Sequence, residues 1–158
     1  MPVRFTSLRR TTAWVASALM AALTAYGCGT DPEERYGVTL DGVCAEVRSA
    51  LTDYAEAATL TAKDGGGTQR LAGTVQEVAQ TFTRGASDLR DADPPGAFAA
   101  FNASTADGLQ TAGTRLRDIA APADDADALL DAAQDALGAL EAPEPPAGLE
   151  ARAPRCQA

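Results

Sequence analysis

Alanine is the feature that most constrains this chain, since it occupies 36 of the 158 positions. Alanine has the highest intrinsic helix propensity, whereas strands favour β-branched and aromatic residues. Only 5% of the residues are aromatic. We therefore expect an all-α protein, and the length leaves room for one domain of ordinary size.

The composition also excludes several classes of function. The chain contains no histidine, which rules out an imidazole base and the histidine-containing zinc and haem sites. Its formal net charge is −9, and it lacks the clustered Lys and Arg residues that nucleic-acid phosphates require. We expect a protein that is not an enzyme, carries no cofactor and binds no nucleic acid.

Residues 1–27 have the pattern of an export signal. A basic start with Arg4, Arg9 and Arg10 is followed by an apolar run over residues 13–25. A run of this length suits a secretory signal and is shorter than the roughly 20 residues of a membrane-spanning helix. We assign 1–27 to a signal peptide. The Arg9-Arg10 pair leaves the twin-arginine route open beside the general secretory route.

The signal ends in Ala25-Tyr26-Gly27-Cys28, which resembles the lipobox of bacterial lipoproteins: a small residue directly before a cysteine at the end of the apolar run. The resemblance implies that the Cys28 thiol receives a diacylglycerol and that the leader is cut just before it. It thus implies a lipid anchor on the extracytoplasmic face of the cell membrane. The same residues fit an ordinary small-x-small cleavage signal, so secretion of a soluble protein is the alternative.

The number of cysteines is consistent with this interpretation. The chain has three: Cys28, Cys44 and Cys156. An odd thiol in an exported protein needs an explanation. Acylation of Cys28 leaves Cys44 and Cys156 as one pair, which can form a disulfide in an oxidising compartment. Removal of the leader leaves 131 residues with a net charge of −12.

Four segments show apolar residues at the three- and four-residue steps of an amphipathic helix. We assign 28–38 to the lipidated N-terminus and a tether, and 39–142 to the helical domain, with Thr39 as the first N-cap. Gly65-Gly66-Gly67 is interpreted as a turn, since the Gly-Lys-Ser/Thr ending of a phosphate-binding loop is absent. The predicted stripes contain Leu40, Val43, Cys44, Val47, Leu51, Tyr54 and Ala58; Leu71, Val75, Val78, Phe82, Ala86 and Leu89; Phe98, Phe101, Thr105, Leu109, Ala112, Leu116 and Ile119; and Ala126, Leu129, Leu130, Ala133, Leu137 and Leu140.

Four helices with short links favour an antiparallel, up-down-up-down four-helix bundle. In such a bundle the chain leaves at the end where it entered. Residues 143–158 are therefore expected to return to helix one as a C-terminal tail. This topology allows Cys156 to reach Cys44, and we expect a disulfide between them to close the bundle.

One row of side chains is a weak candidate for a metal site. The fourth helix carries Asp124, Asp127, Asp131 and Asp135 on its outer face, away from the stripe of Leu129, Leu130 and Leu137. Carboxylate oxygens are ligands for calcium, but a straight helix lacks the loop carbonyls that usually complete such a site. We interpret the row as a solvated acidic face and expect no metal.

The sequence thus favours a membrane-anchored, extracytoplasmic lipoprotein that acts in the cell envelope through contact with another, unidentified protein. The alternative is a secreted or anchored protein that binds a small molecule or a divalent cation. Aromatic residues such as Phe82, Phe98 and Phe101 would then line a cavity, although their positions in the stripes favour core packing.

Overall fold

The computed structural model describes residues 31–64, 67–140 and 143–157, and within them every regular element is helical. The helices are α1 (Pro32–Asp64), α2 (Thr68–Asp91), α3 (Ala99–Ala120) and α4 (Ala126–Gly138). Single 3₁₀ turns cover Gly96–Phe98 and Pro154–Cys156. The prediction of an all-α protein is confirmed for these residues. The predicted signal peptide, residues 1–27, and Cys28 lie outside them.

The first helix begins eight residues earlier than predicted, with Asp31 rather than Thr39 before its first residue. The Asp31 carboxylate accepts a hydrogen bond from the Glu33 amide at 3.0 Å, and Pro32 occupies the first helical position, where its missing N–H costs nothing. Thr39, the predicted N-cap, lies inside the helix and donates its hydroxyl to the Arg35 carbonyl. The assignment of 28–38 to a tether is therefore wrong from residue 32 onward.

Helix α2 contacts each of the three other helices. The apolar stripe predicted for it is confirmed, because all six of its members are buried: Leu71, Val75, Val78, Phe82, Ala86 and Leu89. Burial of this face removes its apolar surface from water, which is the main favourable contribution to folding. The core of the described residues is accordingly centred on α2.

Two glycines bring the neighbours of α2 close to it. A Cβ atom placed on Gly113 of α3 would lie 2.9 Å from the Ala79 carbonyl oxygen of α2. A Cβ atom on Gly85 of α2 would lie 2.9 Å from Cγ1 of Val43 in α1. Side chains at these two positions would push the helices apart, so both glycines are needed for the observed packing.

A buried polar pair connects α1, α2 and α3. The Tyr36 hydroxyl donates to Oδ1 of Asn102 at 3.1 Å, and Nδ2 of Asn102 donates to the Leu89 carbonyl at 2.8 Å. The Tyr36 ring also stacks on Phe98, with 5.7 Å between the ring centroids. Burial raises the pKa of Tyr36 to about 12. Since each buried polar atom in this pair has a partner, the pair fixes the relative positions of the three helices.

Candidate functional site

The predicted cysteine pair lies where α1 meets the C-terminal tail. Cys44 is half-buried on α1, and Cys156 is exposed in the 3₁₀ turn Pro154–Cys156. Their sulfur atoms lie 2.00 Å apart and their Cα atoms 5.2 Å apart. The structure therefore brings these two cysteines to disulfide distance, as the sequence predicted.

Polar contacts also hold the end of the tail on α1. The Arg155 amide donates to Oδ1 of Asp41 at 2.8 Å, and Nε of Arg155 lies 3.5 Å from Oδ2 of the same carboxylate. From α1, Nη2 of Arg48 donates to the Arg155 carbonyl. Asp41 and Arg48 are one helical turn before and after Cys44, so the three residues present one face to the tail.

The rest of the tail packs on the start of α1. Leu149 and Ala153 are each 1% exposed, and Nη2 of Arg152 lies 2.7 Å from Oε2 of Glu33. A Cβ atom on Gly37 would lie 2.6 Å from the Cβ of Arg152. The backbone of α1 and the tail thus approach each other more closely than two ordinary side chains would permit.

A groove runs between α1 and α3 because the backbones of these two helices stay apart, although the Tyr36 and Asn102 side chains meet near the start of α1. Among the described residues, no Cα atom of α1 lies within 8 Å of a Cα atom of α3. Side chains from both helices and from the tail therefore line the space between them. We call this space the disulfide groove.

The disulfide groove consists of two neighbouring cavities, of about 210 Å³ and about 300 Å³. Both are lined by Leu40, Cys44, Thr105, Leu109 and Cys156. The first extends toward α4 and the tail, where its further lining is Phe101, Gly108, Leu140, Pro143 and Pro145. The second extends along α1, where Val43, Val47, Arg48, Leu51 and Arg155 complete it. Most of this lining is apolar, and binding sites for small molecules generally have this character.

Two guanidinium groups stand at the second cavity. Nε of Arg155 is close to the Asp41 carboxylate, whereas Arg48 has no carboxylate within 4.0 Å among the described side chains. The hydrogen bonds that Arg48 makes to the tail use Nη2 alone. Its other N–H groups therefore remain available as donors at the edge of an apolar surface.

The structure places Asp124 before α4 and the other three aspartates of the predicted row on α4. Asp124, Asp127, Asp131 and Asp135 are all exposed. In the part of the chain that the structure describes, no three side chains of the metal-ligating types come together where they could hold a metal ion. The neighbouring Asp125 caps α4, because its carboxylate accepts a hydrogen bond from the Asp127 amide at 3.0 Å.

Sequence reasoning missed the groove and its cations. Of the three aromatic residues considered as cavity lining, Phe82 and Phe98 are buried in the core and Phe101 alone lines the groove. Arg48 and Arg155 were not singled out, although the step from Cys44 to Arg48 is one helical turn and Arg155 is next to Cys156. That spacing is the one sequence signal that places both cations beside the cysteine pair.

Two further observations concern membrane-spanning helices and similarity to known proteins. Within residues 31–64, 67–140 and 143–157, no helix is long and apolar enough to cross a membrane. The chain matches no known family model, no curated protein and no solved structure.

Proposed function

We propose that this chain is a lipid-anchored protein of the extracytoplasmic face of a bacterial cell membrane, attached through Cys28 and acting without catalysis. In this proposal the folded domain presents its surface to a partner protein of the cell envelope. Sec or twin-arginine export delivers the chain, and cleavage before Cys28 removes residues 1–27.

The positions of the cysteines carry this proposal. Cys44 and Cys156 are at disulfide distance, so these two of the three cysteines can be assigned to one pair. The remaining thiol, Cys28, stands directly after a basic and apolar leader. A chain that pairs two cysteines and places the third at a lipobox-like cleavage point is expected in an oxidising, extracytoplasmic compartment.

We further propose that the four helices form an antiparallel, up-down-up-down bundle closed by the Cys44–Cys156 disulfide. Contacts between successive helices support this arrangement. Asn102 near the start of α3 bonds to Leu89 near the end of α2, and Gly113, later in α3, lies against Ala79, earlier in α2, as expected of antiparallel neighbours. Nuclear Overhauser contacts between Gly113 and Ala79, and between Gly85 and Val43, test the topology in solution.

Mass spectrometry of protein extracted from bacterial membranes tests the anchor. We expect the chain to begin at Cys28, to carry a diacylglycerol there and to have two cysteines that resist alkylation until they are reduced. The variant Cys28→Ser should leave the membrane fraction. The matched variant Cys44→Ser should stay in the membrane and expose one alkylatable thiol at Cys156.

Other outcomes separate the alternatives. A chain that begins at Cys28 without lipid is a secreted protein, and the anchor is then wrong. A cytosolic chain that retains Met1 and has three alkylatable thiols contradicts both export and the disulfide.

The disulfide groove favours a second candidate function, the binding of a small molecule. Its cavities have mostly apolar linings and lie between helices, and two arginines line the second of them. These are the properties of ligand sites in helical proteins. Thermal unfolding with and without an apolar ligand tests this function, because a ligand that binds the folded state raises the melting temperature.

A further inference from the structure

We propose that the disulfide groove binds a fatty-acid anion, with the aliphatic chain between α1 and α3 and the carboxylate at Arg48. This inference rests on the second candidate function, small-molecule binding, and names the ligand class. It does not depend on lipidation of Cys28.

The shape of the groove favours a single aliphatic chain. Each of its two cavities, of about 210 Å³ and about 300 Å³, is at or below the lower end of the range for drug-sized ligands. Five shared lining residues make the cavities neighbours, so a narrow and flexible ligand can extend from one to the other. The lining side chains Leu40, Leu109 and Phe101 offer it hydrocarbon rather than hydrogen-bonding groups.

The charges favour an anionic head group. The protein as a whole is acidic, with a net charge of −9, so its surface generally repels anions. The second cavity is different, because Arg48 and Arg155 line it together. Asp41 partly neutralises Arg155, which makes Arg48 the main cation available to a carboxylate.

The positions of the charged and apolar groups are complementary to such a ligand. Arg48 lines the second cavity together with Val47 and Leu51, so a cation lies directly beside apolar side chains. A carboxylate there forms a charge-assisted hydrogen bond, while the attached chain leaves water for the groove. A neutral apolar molecule gains only from the transfer of its hydrocarbon out of water and forms no charge-assisted hydrogen bond.

Isothermal titration calorimetry with dodecanoate tests the proposal on the full chain carrying Cys28→Ala, so that no attached lipid competes. We expect one site per chain. Shortening the fatty acid should weaken binding by about fourfold for each methylene that no longer enters the groove. Dodecanol, which has the same chain without the charge, should bind several-fold more weakly.

Two variants locate the site. Arg48→Gln should weaken dodecanoate binding by about fivefold, leave dodecanol binding unchanged and be rescued by Arg48→Lys. The matched control Arg70→Gln removes an exposed cation from α2 and should leave the binding of both dodecanoate and dodecanol unchanged.

Thr105→Leu fills the part of the groove that both cavities share and should abolish binding of both ligands. Since the Thr105 hydroxyl donates only to the Phe101 carbonyl of its own helix, we expect this variant to fold; Thr114→Leu on the exposed side of α3 is its control.

Each contrary result has a distinct meaning. If dodecanol and dodecanoate bind equally, small-molecule binding holds and the anionic class is wrong. If neither binds, the fatty-acid proposal is wrong, whereas the second candidate function is decided separately by thermal unfolding with other apolar ligands, and the lipid anchor is unaffected. If only vesicles of acidic phospholipid bind, the cations face a membrane surface and the groove has no fatty-acid ligand.

Discussion

At the scale of the residue, Asn102 is a buried polar side chain whose hydrogen bonds connect three helices. It is 6% exposed, and it accepts from the Tyr36 hydroxyl and donates to the Leu89 carbonyl. In the sequence, Asn102-Ala103-Ser104 is a glycosylation sequon inside a helix. Its side chain is instead occupied with hydrogen bonds between three helices. No spacing rule shows this, because the bonds connect residues that are 66 and 13 positions apart.

We expect Asn102→Ala to lower the free energy of unfolding by about 2–4 kcal/mol, because it leaves two buried polar groups without partners. Urea denaturation followed by circular dichroism measures the change. Gln76→Ala, at an exposed position of α2, is the matched control and should change stability by less than about 0.5 kcal/mol. An equal effect of the two substitutions would contradict the role assigned to Asn102.

Tyr36 predicts how stability depends on pH. Burial raises its pKa from 10.0 to about 12, so the unfolded chain loses the phenolic proton at a lower pH than the folded chain. The contribution to stability is therefore complete below pH 10 and is lost as the pH rises toward 12. Burial also raises the pKa of Tyr54, which adds a loss of the same sign.

Urea midpoints measured at pH 8, 10 and 11 test this prediction. We expect the midpoint to fall above pH 10, and Tyr36→Phe should show a smaller fall. If the variant and the original chain lose stability in parallel, Tyr36 does not titrate as its burial requires.

At the scale of the element, the helices were predictable where the pattern was uninterrupted. Helix α2 begins at Thr68, shortly before the first residue of its predicted stripe, and its buried face is the predicted one. The start of α1 differs from the predicted one because proline and glycine, here Pro32 and Gly37, ordinarily interrupt a helix. Pro32 begins the helix instead, and Gly37 makes room for Arg152. That second reason depends on a tail more than a hundred positions away, so local sequence does not contain it.

The glycines of α2 and α3 give an element-scale prediction. Gly113→Ala should destabilise the protein, because its Cβ would lie 2.9 Å from the Ala79 backbone oxygen. This clash outweighs the gain in helix propensity, which is about 1 kcal/mol. Gly73→Ala, which has nothing within 4 Å of the added Cβ, should stabilise by up to about 1 kcal/mol.

Thermal unfolding of the two alanine variants measures the difference. Opposite shifts of the melting temperature are expected, upward for Gly73→Ala and downward for Gly113→Ala. Two upward shifts would show that α3 moves away from α2 at little cost.

At the scale of the whole molecule, the disulfide groove follows from unequal helix lengths. Helix α1 has 33 residues and α4 has 13, so α4 cannot cover the whole length of α1. The tail covers part of the remaining surface, and the space between α1 and α3 stays open. The sequence predicted four helices and a returning tail, but the groove needed the actual helix ends and the position of the tail, which periodicity does not provide.

The cysteine pair has a large expected effect on stability. Cys44 and Cys156 are separated by 112 positions, and in the chain-entropy model closure of so long a loop stabilises by about 4–5 kcal/mol. Cys44→Ala with Cys156→Ala should lower the free energy of unfolding by about this amount. Chemical denaturation measures it, with Cys28→Ala as a control that should behave like the original chain. A double variant as stable as the control would show that packing of the tail suffices.

The close approach of Arg152 to Gly37 also sets an order of events during biosynthesis. A ribosome makes the amino end of a chain before the carboxyl end, so α1 lacks the tail that packs on it until residues 149–153 have been made. During that interval the apolar side chains of α1 that the tail later covers face water or a chaperone. A nascent chain halted before residue 149 should therefore be far more sensitive to protease than the finished one.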